Sequence, residues 1–229
     1  MSDWAIVLAM IGPGMSARRL TGVAGVAWVV VTAVGVTSFS LVGNPPDFGN
    51  ATAVASYISG SSTNFLIDAF CTGISAALLG AFVAGLSTLL LEGANGRLAA
   101  TVLLVLGVIV ATLLSVVGTL ETATVLTAGS RAYTGLVAPL FLATQTAVVF
   151  LYFPGAGFLA LLAQNAARLR LPGWIAWTAR VTAVLVASAS LAVFGGTGSF
   201  GPLGLLQVLV GFLPSALTFL VIGIRLLRH

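Results

Sequence analysis

Residues 68–121 read DAFCTGISAALLGAFVAGLSTLLLEGANGRLAATVLLVLGVIVATLLSVVGTLE, and the charges in this stretch decide the fold. Asp68 precedes Glu92 by 24 positions, and Glu121 follows Arg97 by 24. At ~1.5 Å per helical residue each interval is about 36 Å, one bilayer core plus some headgroup. The two apolar runs therefore read as consecutive transmembrane helices, joined by a hairpin at LEGANGR. This places Asp68 and Glu121 together at the outer interface, with Glu92 and Arg97 at the inner one.

The rest of the chain follows the same pattern. Of its 229 residues, 59% are hydrophobic and 6% charged, and mean hydropathy is +1.16. Soluble chains carry roughly a quarter charged residues, so lipid is the expected solvent. The expected fold is all-α, a polytopic bundle of about six spans at 20–42, 65–91, 98–120, 139–165, 174–194 and 202–224. Residues 1–19 form an N-terminal cytoplasmic or interfacial segment and 225–229 a cytoplasmic tail.

Residues 1–14 hold an apolar stretch too short to cross, anchored by Trp4. Arg18 and Arg19 follow it, whereas a secretory signal has its cations first. Met15, three residues before Arg18, is an alternative start. NPPDFGN ends the first span. Residues 51–59 suit a surface helix capped by Asn50, and Asn50-Ala51-Thr52 fits the glycosylation sequon. Pro139 is expected in the first turn of span four. Leu171-Pro172-Gly173 makes a cytoplasmic turn, GGTGSFG an outer turn, and Pro202 opens span six.

All nine basic residues are Arg. With these spans, Arg18, Arg19, Arg97, Arg168, Arg170, Arg180, Arg225 and Arg228 face the cytoplasm and only Arg131 lies outside. Cytoplasmic loops hold cations, so both ends of the chain are expected inside. The net charge of +4 and pI of about 10.2 thus describe topology, and no nucleic-acid partner is implied.

Several chemistries are excluded by residues the chain lacks. Cys71 is the only cysteine and His229 the only histidine, and there is no lysine. A disulfide within the chain, thiolate metal sites, two-histidine haem ligation and lysine imines are all ruled out. No catalytic residue, metal ligand or cofactor site stands out. The segments AVGVTSF, GGTGSFG and GPGM lack the Lys and spacing of a phosphate loop.

Four residues make a candidate polar cluster: Asp68, Glu121, Arg131 and Gln145. Charges near the bilayer are often functional; at the interface, where water screens them, topology and capping are the preferred account, with ion or proton coupling as the alternative. Gln145 and Gln207 are buried amides whose ordinary role is interhelical hydrogen bonding. Pro154 and Pro214 lie inside spans and should kink them. Two ridges run along span two, Ala69-Gly73-Ala77-Ala81-Gly85 and Asp68-Thr72-Ala76-Gly80-Ala84-Thr88. With the row Gly107-Ala111-Ser115-Thr119-Ala123 of span three they suggest close helix packing. Arg180 is placed to snorkel or to meet Glu92, beside Trp174 and Trp177 in an interfacial aromatic belt.

The layout resembles a family of uncharacterised six-span membrane proteins common in actinobacteria. The shared features are Arg19-Leu20-x-Gly22 at the start of span one, a Pro-Asp outer loop with the stretch Thr52 to Tyr57, Gly-Arg-Leu-Ala at 96–99, and Phe-Pro at 153–154. The resemblance covers most of residues 15–225 and implies a multi-pass protein of a bacterial inner membrane, with no activity to transfer.

Three functions are compatible with these residues. The first and preferred one is a non-catalytic module that assembles with a membrane partner or a second copy, regulates, or senses the bilayer. The alternative is a small carrier or channel for a neutral or weakly charged solute, passing between spans two and three. An intramembrane enzyme is disfavoured, since general acid and base groups must converge and few exist. A cavity lined by Asp68, Thr72, Gln145 or Glu121 favours the carrier; a closed apolar interior favours the module.

Overall fold

Ser16 starts the first long helix, its hydroxyl accepting from the Arg19 N–H at 3.4 Å, as free first-turn donors require. In the computed structural model, which describes residues 16–91, 96–191 and 208–228, that helix is α1 (Ala17–Ser40). Gly43, at φ 84, breaks the chain direction ahead of the two prolines. The short helix α2 (Ala51–Gly60) follows. Asn50 caps it as expected, its side-chain oxygen accepting from Ala53 N–H at 3.0 Å.

Four longer elements complete the chain: α3 (Ser62–Leu91), α4 (Arg97–Ala128), α5 (Thr134–Gln164) and α6 (Gly173–Ala189). The last helix, α7 (Leu213–Leu227), continues a π-helical stretch, Val208–Phe212. The fold is an all-α bundle, with no strand among the described residues. Among the described residues five helices are long and apolar enough to cross a membrane, α7 doing so together with its π-helical stretch as Leu209–Leu227; α6, at 17 residues, is shorter. At ~1.5 Å per residue α6 spans about 26 Å, near the lower limit for a crossing.

Large apolar side chains point outward on every long helix, among them Val34, Phe70, Val105, Phe150, Val184 and Leu217. Water would penalise this surface and hydrocarbon does not. Hydroxyls on the outer face are satisfied within their own helix: Ser115 donates to Ala111 O at 3.1 Å and Thr119 to Ser115 O at 2.8 Å.

The six long helices close into a ring, in which α1 packs on α3, α3 on α4, α4 on α5, α5 on α6, α6 on α7, and α7 back on α1. Ring closure depends on close approach at α1 and α7. A Cβ at Gly22 would lie 2.7 Å from Gly223 O, and one at Gly223 would lie 3.0 Å from Gly22 O. Hydroxyl pairs add direct links: Thr32 with Ser75 at 2.8 Å and Thr182 with Thr218 at 2.9 Å. One apolar core, around Phe82, Leu86, Leu90, Leu103, Leu162 and Phe219, fills the end that bears most of the arginines. A second cluster joins α2 to Phe65, Val137 and Phe141 at the opposite end.

Several expectations need correction. The ridge Gly73-Ala77-Ala81 is exposed and a Cβ at Gly73 meets nothing, so it faces lipid, not α4. A four-residue step overshoots one helical turn by about 40°, and a long row therefore precesses out of the interface. Ser115 and Thr119 turn outward for the same reason. Gly107 and Gly118, eleven residues apart, stay within about 20° of one face, and both press on α3, at Val83 and Ala69. Helix α4 extends to Ala128, well past the expected end at 120. Helix α5 begins at Thr134, so Pro139 lies inside it and not in its first turn. Pro154 lies inside its helix, as expected. Pro214 falls in the first turn of α7, where the π-helical stretch passes into α-helix, a position that tolerates its missing donor. Residues 1–15, Glu92, the GGTGSFG turn, Pro202, Gln207 and His229 lie outside the described residues.

If glycine contact holds the ring closed, Gly223→Leu should destabilise the protein by about 1–3 kcal/mol through overpacking. Gly73→Leu should stay within about 0.5 kcal/mol, as for a surface change. Unfolding in detergent measures both, and equal effects would contradict the packing described.

Candidate functional site

Asp68 lies on α3 six residues beyond Ser62, and Glu121 on α4 seven residues before Ala128. At ~1.5 Å per residue each is about 10 Å inside its helix end. This corrects the expectation of a water-screened pair. The helices begin and end further out than the charges alone suggest, so the carboxyls lie within the bundle. Glu121 is 5% exposed.

The local sequence brings the pair together. Gly118, one turn before Glu121, lets α4 approach the backbone of α3; a Cβ there would sit 3.0 Å from Ala69 O. On the opposite side, Gly35 of α1 leaves room for Asp68, whose Oδ1 would be 2.6 Å from a Cβ at position 35. The two carboxyls lie against one another where α3 meets α4. An ionised carboxylate only accepts, so a hydrogen bond between them takes a proton on one of the two.

The pair lines a partly open cavity of about 230 Å³ enclosed by the ring. All six long helices contribute to its wall, through Thr32, Thr72, Val117, Gln145, Val186 and Phe219 among others. Helix α5 presents one continuous face to it, Thr144, Gln145, Val148, Leu151, Tyr152 and Gly155, at the i, i+3/i+4, i+7 spacing of a single helical stripe. The wall is mostly apolar, and Phe158 and Phe219 stand at its inner end, packed edge-to-face at 5.8 Å.

Three polar side chains on this wall lack a hydrogen-bond partner among the described residues. Gln145 is 6% exposed, and among the described residues it makes no hydrogen bond. The hydroxyl of Tyr152 is likewise unpaired among them. The indole N–H of Trp28 is buried with no acceptor. Native interiors leave few such groups unsatisfied. Among the described residues Gln145 thus does not make the interhelical bond expected of it; it joins Asp68 and Glu121 around a shared space. Arg131 opens a single 3₁₀ turn, Arg131–Tyr133; its side chain lies outside the described residues. No group of three metal-ligating residues forms among the described residues.

Sequence reasoning missed Trp28, Tyr152, Thr144 and Gly35. A signal existed for the first two. Both are amphipathic aromatics in mid-span, away from the interfacial belt where such rings usually sit. Nothing short of the assembled ring could have placed Gly35 against Asp68. Comparison with protein-family models, curated proteins and solved structures gives no match of any of the three kinds.

Because Glu121→Gln keeps a donor for Asp68, it should change stability by less than about 1 kcal/mol. Glu121→Ala strands the buried partner and should cost about 1–3 kcal/mol. Thermal unfolding in detergent distinguishes them; equal losses would mean the carboxyls do not depend on one another.

Proposed function

We propose that this protein is a small-solute carrier or channel of the cell membrane, of the bacterial inner-membrane type, with its arginine-rich end in the cytoplasm. The observation that carries this reading is the cavity, whose wall combines the Asp68–Glu121 pair with the unpaired Gln145, Tyr152 and Trp28 groups. An engineered apolar cavity of about 150 Å³ admits benzene. At about 230 Å³ this one has space for a comparable body with a polar head attached.

The chemistry of the wall narrows the solute. Aromatic and branched side chains favour an apolar body, while the carboxyl pair favours a hydrogen-bond donor or weak base at its head. No cation stands among the described lining residues, so an anionic head would be desolvated without a partner. The path is the middle of the ring, not the seam between α3 and α4. A purely structural assembly module gives no role to unpaired polar groups around a cavity, and for that reason it ranks second.

The test is a matched ligand panel on the purified protein: benzylamine, benzyl alcohol and benzoate, read by thermal shift. The amine and the alcohol should stabilise the wild type, and benzoate should not. The double variant Asp68→Asn/Glu121→Gln should weaken amine binding by roughly tenfold or more, about 1.4 kcal/mol. Amine binding unchanged in the double variant, or no binding by any panel member, would return the assembly module to first place.

A further inference from the structure

At the other end of the bundle a second cavity, of about 310 Å³, lies between the start of α1 and the α5–α6 connection. Its wall includes Ser16, Arg18, Arg168 and Arg170, with Leu89 of α3 beside them. The arginines come from segments 150 residues apart, joined where the Arg18 guanidinium donates to Leu169 O at 2.9 Å. Its Nε is buried with no acceptor. Arg168 reaches only the Asn165 side chain, at 2.9 Å, and Arg170 has no partner among the described residues. Arg170 adopts φ 55, a backbone region uncommon for residues other than glycine, in the tight turn closed by Leu171 N–H to Ala166 O at 2.9 Å.

Three guanidinium groups around one cavity, with no carboxylate among its described lining residues, repel one another. A counter-anion relieves that repulsion. The first turn of α1 adds the positive end of a 24-residue helix, which favours the same ligand. Guanidinium geometry matches the tetrahedral oxygens of a phosphate through paired hydrogen bonds. The apolar Leu89 and Leu169 on the same wall suit a phosphate that enters attached to a lipid.

We propose that this cavity is a phosphate-binding site, filled by the headgroup of an anionic phospholipid or by free phosphate, which clamps the start of α1 to the α5–α6 turn. It lies at the opposite end of the bundle from the carboxyl pair and does not rest on the carrier reading.

The experiment compares melting temperatures of the full chain in two arms. One arm contrasts nanodiscs of phosphatidylcholine alone with nanodiscs containing phosphatidylglycerol; the other adds inorganic phosphate to the protein in detergent. A rise of roughly 4 °C or more is expected in at least one arm, the size that saturating ligand gives a chain of this length. A rise confined to the nanodiscs identifies lipid as the source, and a rise with phosphate alone identifies the free ion. Arg168→Gln/Arg170→Gln, both exposed positions, should abolish the rise. The charge-matched control Arg97→Gln/Arg228→Gln, neither of which lines the cavity, should keep it. No rise in either arm, a rise that survives Arg168→Gln/Arg170→Gln, or one lost equally in the control would overturn the site.

Discussion

Between helices in lipid there is no hydrophobic drive to associate, because hydrocarbon is as apolar as leucine; backbone proximity and the few available hydrogen bonds must do the work. This ring depends on that constraint at its closing seam, where Gly22 and Gly223 bring α1 and α7 together. With the seam closed, α1 also meets α3, so that Gly35 faces Asp68 and Thr32 faces Ser75. The cavity, its carboxyl pair and the apposition of Trp28 with Phe219 at 4.9 Å all follow from six helices being held in a circle and not stacked in layers.

The ring also separates two kinds of polar group. Hydroxyls on the lipid face turn back on their own helices, as Ser115 and Thr119 do, and need nothing from outside. Polar groups on the inner face behave differently. Asp68 and Glu121 face each other, while Gln145, Tyr152 and Trp28 have no hydrogen-bond partner among the described residues. Burying an amide or an indole N–H without a partner costs free energy. A wall with several such groups is better explained by a bound solute or water than by packing alone.

The helices themselves were legible from residues 68–121, because charge spacing and hydropathy depend only on local chain geometry. So was the Asn50 cap, a contact within one turn. Depth was not legible. A charge near a span boundary can end the helix or lie inside it, and Glu121 did the latter because Ala128, not Leu120, ends α4. Facing was harder still. Small residues four apart look like one ridge on paper, but the helix turns the later members away, and only the partner helices reveal which glycines touch. Gln145 could be recognised as buried; that it faces a space and not another side chain is a property of the closed ring.

The account stands on that space being reachable. Substituted cysteines in a Cys71→Ser background test it most directly, since a hydrophilic thiol reagent modifies only thiolates that water can reach. Thr144→Cys and Val148→Cys, on the cavity face of α5, should react, while Val108→Cys, on the outer face of α4, should not. If both cavity positions prove as inert as Val108→Cys, the ring encloses no solvent path and the site described here is only a packing defect.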